Sequence, residues 1–517
     1  MKGNRRQFLK TTAAGVAASS ALSLSAKSYA QVAGANNRIG IAFLGVGGRC
    51  QQHINIITRM QRENQGGVRA VAVCDVWDGN QTLSNGTGRG LFPSARKCNL
   101  NVDDRQHVNK DYRRILELRE VDVVCIATPD HWHAKMTIDA AAAGKHIYCE
   151  KPMTKTIEEA HAVVDAVRRH AVVMTVGVQS MADPTWRAAY DMIKRGEIGH
   201  VAQAQTSYYR NSLVGQWRYY PLTRDMTPTT IDWDMFLGHQ FSVFQGTPLS
   251  QRVPFDRALF AQWRCYWPFG GGMFTDLFVH QTTHMIAAMG VRYPARVVGA
   301  GGVYLEYDQR DVPDVATVVA DYDEGCQLII SATMINDCPL EEVIRGRLAT
   351  LKFGNRTRQV NGQPVREFGM EVLPQTIGSR PTGPNQGNNN QGRFVASTLT
   401  GDDTAALWLN FLECCRARNR ETMSTPELGA AAFTTVNMGV QSYREGRVLF
   451  WDKEARRTTP ADASWAQRWE RRSRERGTPN QIIGWQGNNS GSTLEPPTYQ
   501  RLQGPWMNGT DPAPAEG

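Results

Sequence analysis

The sequence lacks the features that would define a membrane-spanning, nucleic-acid-binding or disulfide-stabilised protein. The apolar stretch near its N-terminus is too short, and too rich in Ala and Ser, to cross a bilayer. Its ten cysteines include no C-x-x-C pair and no zinc-type spacing, so we expect neither a disulfide framework nor a structural metal. A net charge of +9 without a basic block argues against a nucleic-acid partner. We find no internal repeat.

What the chain does contain is typical of a soluble globular protein, with 41% hydrophobic and 21% charged residues. Its 517 residues are too many for one hydrophobic core and suit two or three domains.

The N-terminal segment carries an export motif. Arg5 and Arg6 precede Phe8-Leu9-Lys10, a modestly apolar stretch follows, and Ser28-Tyr29-Ala30 offers a small-x-small cleavage site. A disordered basic tail is the alternative. The pattern favours a twin-arginine signal over residues 1–30, which would make the export machinery a partner and place the protein in the periplasm or outside the cell. Such signals carry folded proteins, so a cofactor can travel with the chain.

From residue 38 the sequence alternates between apolar strands and helices. The segments "RIGIAFLGVGG", "VRAVAVCDVW", "VDVVCIATP", "KHIYCEKP" and "AVVMTVG" are typical of buried strands, and helical periodicity lies between them, which predicts a parallel doubly wound sheet. We expect the polar stretch between Asp75 and Tyr112 to be a surface loop. After about residue 200 the pattern favours antiparallel strands followed by two helices.

A glycine-rich turn after the first strand indicates a dinucleotide site. Gly45 and Gly47 fit the first two positions of G-x-G-x-x-G, with Gly48 and Arg49 in the same turn and Cys50 in the third position. Asp75 ends the second strand, where a carboxylate can bind the ribose hydroxyls and repel a 2′-phosphate. The sequence therefore favours NAD. NADP stays open, because Arg49 could bind its extra phosphate.

The stretch "ATPDHWHAKMTIDAAAAGKHIYCEKP", followed by "GGGMFTDLFVH" and "GRVLFWDKE", resembles the Gfo/Idh/MocA oxidoreductase family over about residues 38–455. The resemblance implies an α/β protein whose N-terminal Rossmann domain precedes an α/β domain with an open, mainly antiparallel sheet. We expect a signal at 1–30, a cofactor domain at 37–178, a substrate and oligomerisation domain at 179–455 and an extended tail at 456–517. An open sheet face would also favour a homo-oligomer.

The same resemblance implies where the cofactor and a carbohydrate-like substrate meet. It makes Lys151, Asp276 and His280 the catalytic residues, with His280 as the proton acceptor and Lys151 stabilising a developing alkoxide. An aromatic-rich segment upstream offers substrate-wall residues, for which ordinary packing is an equal alternative. The further expected cofactor ligands are Thr128, Pro129, His133 and Glu150, and the expected substrate ligands are Trp263, Arg264 and Tyr266.

Asp276, His280 and His284 stand four residues apart, a spacing that places side chains along one face of a helix. Such a row could bind a metal, but Gln281 follows the first histidine where a zinc helix carries Glu, and no distant ligand completes the set. We therefore expect no metal and expect His284 to pack structurally.

The leading hypothesis is an exported NAD(P)-dependent oxidoreductase that acts on the hydroxyl of a sugar, cyclitol or derivative and holds its cofactor tightly. A glycoside hydrolase that uses transient oxidation and elimination is the first alternative. A non-catalytic ligand-binding protein of the same fold is the second, and the joint presence of Lys151, Asp276 and His280 speaks against it.

Overall fold

Six parallel strands form the sheet of the N-terminal half in the computed structural model, which describes residues 38–80, 88–377, 380–381, 392–460, 465 and 467. The strand order is β3-β2-β1-β4-β5-β6, which confirms the predicted doubly wound arrangement. The central strands are buried along most of their length because helices cover both faces, so their sequences read as continuous apolar runs. The strands are β1 Ile39–Leu44, β2 Val68–Cys74, β3 Val108–Asn109, β4 Val123–Ile126, β5 His146–Glu150 and β6 Met174–Gly177.

Five helices connect these strands. The best-capped is the last, where Thr156 and Glu159 form a capping box. The helices are α1 Gly48–Arg62, α2 Leu91–Lys97, α3 Tyr112–Leu116, α4 Asp130–Ala142 and α5 Ile157–Arg169.

The expectation of a surface loop between Asp75 and Tyr112 is wrong for its second half. Helix α2 and strand β3 lie there, and Leu91 and Ala95, one helical turn apart, are buried in the core beside α1. This apolar pair outweighs the polar composition of the segment. The backbone N–H of Gly90 also donates to the carbonyl of Val46, which ties the segment to the glycine turn. Residues 81–87 lie outside the described part.

The second half contains an eleven-stranded sheet that is antiparallel except where β7 and β12 pair in parallel, which confirms the predicted fold class. Along β11 every second residue is buried, because one face packs on helices and the other is only partly covered by the described residues. The strands are β7 Val201–Asn211, β10 Arg296–Gly302, β11 Val315–Tyr322, β12 Cys326–Thr333, β13 Ile335–Asn336, β14 Glu342–Gly346, β15 Ala349–Val360, β16 Gln363–Pro374, β19 Arg393–Ala396, β20 Leu449–Asp452 and β21 Arg457–Pro460.

Two hairpins lie apart from this sheet, and seven helices complete the described chain. The hairpins pair β8 Ser242–Phe244 with β9 Thr247–Pro248, and β17 Thr376–Ile377 with β18 Arg380–Pro381. The helices are α6 Thr185–Lys194, α7 Trp233–Leu237, α8 Arg257–Ala261, α9 Gly272–Asp276, α10 Phe278–Met289, α11 Asp403–Ala417 and α12 Pro426–Glu445.

Two contacts link the segments that the sequence assigns to different domains, and the domain boundaries themselves stay a prediction. Helix α11 packs against the first sheet, where the indole of Trp408 stacks on Tyr148 with ring centroids 4.3 Å apart. Strand β21 pairs with β20, so the tail expected from residue 456 begins inside a hairpin. The N-terminal signal and nearly all of the remaining tail lie outside the described residues.

All ten cysteines are free thiols, and Cys338 alone among them is exposed. Within the described ranges, no helix combines the length and apolar character that a bilayer crossing requires.

Candidate active site

The glycine turn between β1 and α1 is shaped to admit a phosphate group. Gly45 has φ +79, and a Cβ there would lie 2.8 Å from the backbone nitrogen of Thr128, so only glycine fits. A Cβ on Gly47 would meet no atom within 4 Å, which leaves open space in front of the helix. No side chain caps α1 and no acid lies in its first turn. Its N-terminal amides are therefore free to bind an anion.

Polar groups beside this turn suit the rest of a dinucleotide. Asp75 ends β2, and burial, partly opposed by backbone hydrogen bonds, raises the pKa of its carboxyl to about 6. Its Oδ1 accepts from the backbone N–H of Trp77 at 2.9 Å, which fixes the side chain. Gly45, Asp75 and Thr128 line one cavity, which we call the cofactor cavity. The buried hydroxyl of Thr128 has no hydrogen-bond partner among the described residues. The Asp75 carboxylate, which can bind ribose hydroxyls, and the unpartnered Thr128 hydroxyl both fit a nicotinamide dinucleotide. Pro129, next to Thr128, lines this cavity and precedes α4.

Arg49 and Glu150 form a buried pair rather than two independent cofactor ligands. Arg49 Nε donates to Glu150 Oε1 at 2.7 Å, and His53 Nε2 lies 2.8 Å from the same oxygen. Burial alone would raise the pKa of Glu150, but Arg49 and His53 outweigh it and hold that pKa well below its usual range. Since Glu150 occupies Arg49, Arg49 is a poor candidate for a 2′-phosphate ligand, which favours NAD.

His133, an expected cofactor ligand, lines the large cavity at the domain junction, and both of its ring nitrogens lie close to backbone carbonyls. Its Nδ1 lies 2.6 Å from the carbonyl of Pro152 and its Nε2 lies 2.9 Å from that of Thr128. The ring therefore joins the turn after β4 to the turn after β5, and it positions Thr128 and Lys151 on either side.

A cavity of about 720 Å³ lies where the two halves of the chain meet. Lys151 extends into it from the end of β5, and its Nζ donates to Asp276 Oδ1 at 2.8 Å and to the Asp276 carbonyl at 2.9 Å. Arg264 Nε donates to the same Oδ1 at 3.0 Å. Burial alone would raise the pKa of Asp276, but Lys151 and then Arg264 outweigh it, so the carboxyl is ionised. The predicted catalytic residues are thus brought together, with Arg264 beside them.

His280 lines the same cavity, and among the described residues none hydrogen-bonds to its ring. Burial, assisted by the charge of Lys151, lowers the pKa of the imidazole to about 3. This value lies well below the ordinary pKa of histidine, near 6.5. The ring is therefore neutral across the physiological pH range, and the same shift makes it a weaker base than an ordinary imidazole; the charge of Asp276 opposes the shift and favours the protonated ring.

Asp276, His280 and His284 do not share one continuous helix. Helix α9 ends at Asp276 and α10 begins at Phe278. His284 lies outside the cavity, stacked on Trp186 with ring centroids 3.9 Å apart. Its Nε2 lies 2.7 Å from Glu342 Oε1. Within the described residues no group of three or more His, Cys, Asp or Glu could hold a metal.

The three expected substrate ligands do not line one common cavity. Arg264 reaches the cavity, and its guanidinium lies 4.2 Å from the centroid of the Trp263 ring. Trp263 lines the neighbouring cofactor cavity. Tyr266 lines neither cavity, because its hydroxyl accepts from Arg218 Nη1 at 3.1 Å.

Three residues that sequence reasoning missed also line these cavities. Arg89 comes from the segment expected to be a loop, and a Cβ on Gly48 would lie 3.7 Å from its Nη1. Arg210 projects from the end of β7. Asp130 is 2% exposed, and burial followed by repulsion from Asp276 raises its pKa to about 8. Asp130 follows the Thr128-Pro129 pair directly, so its position offered a signal. The two arginines offered none.

These features define the class of protein: two domains built around a nicotinamide dinucleotide. The features are a doubly wound sheet with a free helix N-terminus, an acid at the end of β2, and a lysine–aspartate–histidine group. Two family models agree. The one described as "Oxidoreductase family, NAD-binding Rossmann fold" matches residues 39–178, and the one described as "GFO/IDH/MocA C-terminal domain" matches residues 245–352. The chain belongs to the Gfo/Idh/MocA oxidoreductase family, and the predicted family and its NAD-type cofactor are confirmed.

Individual relatives cover parts of this chain. A levoglucosan dehydrogenase of Pseudarthrobacter phenanthrenivorans is 38% identical over 106 residues, 20% of this chain and 27% of its own. A "Glycosyl hydrolase family 109 protein" of Shewanella pealeana is 27% identical over 249 residues, 43% of this chain and 51% of its own. The chain thus matches about a quarter to a half of these relatives' lengths. The fold also resembles the WlbA dehydrogenase from Bordetella pertussis, solved with NADH and UDP-GlcNAcA: TM-score 0.53, 16% identity, 80% of this chain and 99% of that one.

Proposed function

We propose that this protein is an NAD-dependent oxidoreductase that acts on a hydroxyl-bearing carbon of a carbohydrate-like substrate. The contact that carries the proposal is the Lys151–Asp276 pair, with Nζ and Oδ1 2.8 Å apart, in one cavity with a neutral His280. The levoglucosan dehydrogenase relative and the family's oxidoreductase description support it.

A bound nicotinamide supplies the hydride acceptor for oxidation of an alcohol carbon. The chain's own residues then have distinct roles. A ring nitrogen of His280 accepts the hydroxyl proton, because the imidazole is neutral. The ammonium of Lys151 stabilises negative charge on the same oxygen. Asp276, held by Lys151 and Arg264, fixes the lysine in place and stabilises the imidazolium once it forms.

The first test is native mass spectrometry of the folded protein, followed by measurement of nicotinamide absorbance at 340 nm during turnover of candidate sugars. We expect a co-purified mass of NAD or NADH and net reduction of the cofactor. Absence of any dinucleotide, together with no binding of added NAD, would contradict the proposal.

A redox-assisted glycoside hydrolase is the second candidate, and the similarity to the family 109 glycosyl hydrolase favours it. It requires the same cofactor and the same Lys151 and His280, but returns the hydride within each turnover. Nitrophenyl glycosides separate the two functions: release of nitrophenol with no net change at 340 nm indicates hydrolysis, and net reduction without release indicates dehydrogenation.

We also propose that the protein is exported by the twin-arginine route and reaches the periplasm or the exterior. The observation that supports this is the Arg5-Arg6 pair ahead of the Ser28-Tyr29-Ala30 site. Changing both arginines to lysine should leave the full-length precursor in the cytoplasm, as cell fractionation would measure. Normal export of that variant would exclude this route.

The less buried face of the large sheet, marked by the partly buried residues that alternate along β11, supports pairing with a second copy. Light scattering coupled to size-exclusion chromatography should give a multiple of the subunit mass, and a monomer at all concentrations would contradict this proposal.

A further inference from the structure

Arg210 lies in the wall of the large cavity because of its position along strand β7. Side chains alternate across a strand, so Thr206, Tyr208 and Arg210 share one face. Thr206 lies beneath the helices, where its hydroxyl donates to Glu342 at 2.6 Å. The Tyr208 ring lies 5.8 Å from that of His280, between centroids. Arg210 is one step further along, at the end of the strand and in the wall of the cavity.

The other cations nearest the reacting group already have carboxylate partners. Arg49 pairs with Glu150, and both Lys151 and Arg264 pair with Asp276. Among the described residues, by contrast, no carboxylate oxygen lies within 4.0 Å of Arg210. Its Nη2 donates to the Tyr208 hydroxyl at 2.8 Å, and its guanidinium carbon lies 4.8 Å from the centroid of that ring.

These two contacts hold the guanidinium in a fixed plane and leave most of its donors unused. Burial alone would lower the pKa of Arg210, but its contacts with Tyr208 and then the more distant charge of Asp276 outweigh burial and raise the pKa, so the charge is permanent. A half-buried, oriented cation without a counter-ion is destabilising unless a ligand supplies the anion. Arg89, the other cavity arginine without a carboxylate partner among the described residues, stands beside Gly48 at the glycine turn, where the phosphates of a dinucleotide would lie.

We propose that the substrate is an acidic carbohydrate whose carboxylate binds Arg210 while the hydroxyl to be oxidised lies between Lys151 and His280. This inference rests on the proposed function and narrows its substrate class. One guanidinium compensates one negative charge, which favours a sugar carboxylate over a doubly charged sugar phosphate. Tyr219, which is 44% exposed, also lines this cavity and offers an aromatic face to a sugar ring.

The test compares matched sugars that differ in one group. Calorimetric titrations of the NAD-loaded protein would use D-glucose, D-glucuronate and glucose 6-phosphate, then D-galactose and D-galacturonate. We expect the tightest-binding member of the panel to be a uronate. Arg210→Gln should raise the Kd of that uronate by about 10- to 100-fold and change the Kd of the neutral sugar by no more than about twofold. Arg210→Lys, which keeps the charge but loses the planar fork, should retain part of the preference.

Arg366→Gln is the matched control, because Arg366 is an exposed arginine on β16, away from the cavity. Thermal unfolding of each variant verifies that it is folded. A neutral sugar or the phosphate as the tightest binder, equal losses for acid and neutral sugar in Arg210→Gln, or no binding by either uronate would each overturn the inference. If neutral sugars are oxidised without any acid preference, the inference fails and the oxidoreductase function stands. If the protein binds no dinucleotide, the proposed function fails first.

Discussion

Replacing Arg89 should weaken dinucleotide binding specifically at the phosphates. The backbone of Arg89 is fixed by reciprocal hydrogen bonds with Asn80, of 3.0 and 3.2 Å, so the side chain starts from a defined position. Its guanidinium lies 6.0 Å from the centroid of Trp77 and 5.9 Å from that of Tyr220. It therefore faces the open space in front of the α1 N-terminus with its donors available.

The magnitude follows from the kind of contact. A hydrogen bond to a charged group is worth about 1.5–3 kcal/mol, so loss of the arginine–phosphate contact should raise Kd by about 10- to 100-fold. The measurement is calorimetric titration of cofactor-free protein with NAD, ADP-ribose and adenosine. Arg89→Leu should raise the Kd values of NAD and ADP-ribose equally. The Kd of adenosine, which has no phosphate, should change by no more than about twofold.

The matched control is Arg96→Leu, which removes an exposed arginine from α2, the short helix that follows Arg89. It should change none of the three affinities. An Arg89→Leu protein that binds NAD as tightly as wild type, or that loses adenosine as strongly as NAD, would refute the assignment of Arg89 to the phosphates.

Four further predictions concern the acid–base groups, the cofactor and the pH dependence of stability. His280→Ala should lower kcat by about 10²–10⁴-fold with dinucleotide affinity unchanged, whereas His284→Ala should lower kcat far less but reduce Tm; equal kinetic losses and chelator sensitivity would instead indicate a metal. An NMR titration of the His280 ring should show no protonation between pH 8 and about 5, because the pKa of this imidazole is about 3; a midpoint near 6.5 would contradict this. Asp75→Ala should weaken NAD and improve relative NADP binding, and tighter NADP binding by wild type would exclude the ribose role of Asp75. The raised pKa of Asp130, about 8, means that the folded state binds its proton more tightly than the unfolded state, so stability falls as pH rises from about 4 to 8. Asp130→Asn should abolish this fall, which is on the order of 2–4 kcal/mol of unfolding free energy at pH 8, as denaturant unfolding would measure. An unchanged pH dependence in the variant would refute the raised pKa of Asp130.

The sequence predicted best where the structural cause is local. Gly45 needs a positive φ, and Asp75 ends a strand recognisable from its apolar run, so both could be placed without knowing the rest of the chain. Lys151 and Asp276 are far apart in sequence, and only the family resemblance brought them together.

What could not be predicted depends on long-range packing. Arg89 lies in a polar segment whose inward turn depends on burial of Leu91 and Ala95 against α1. Arg210 follows from the register of β7, which pairing with β12 and β14 sets far along the chain. The pKa of His280 departs from its ordinary value because both halves of the chain enclose it, which no periodicity reveals.

The docking of α11 on the first sheet links the order of synthesis to cofactor loading. The indole Nε1 of Trp408 donates to His53 Nδ1 at 2.9 Å, and the opposite nitrogen of that ring contacts Glu150, which in turn holds Arg49 in the glycine turn. The turn that receives the phosphates is therefore supported by a helix that the ribosome makes after both sheets have largely emerged. A nascent chain that stops short of Trp408 has every residue of the glycine motif but lacks the indole behind it. Capture of the dinucleotide should accordingly be a late event, completed on a nearly full-length chain, and truncation before α11 should abolish it.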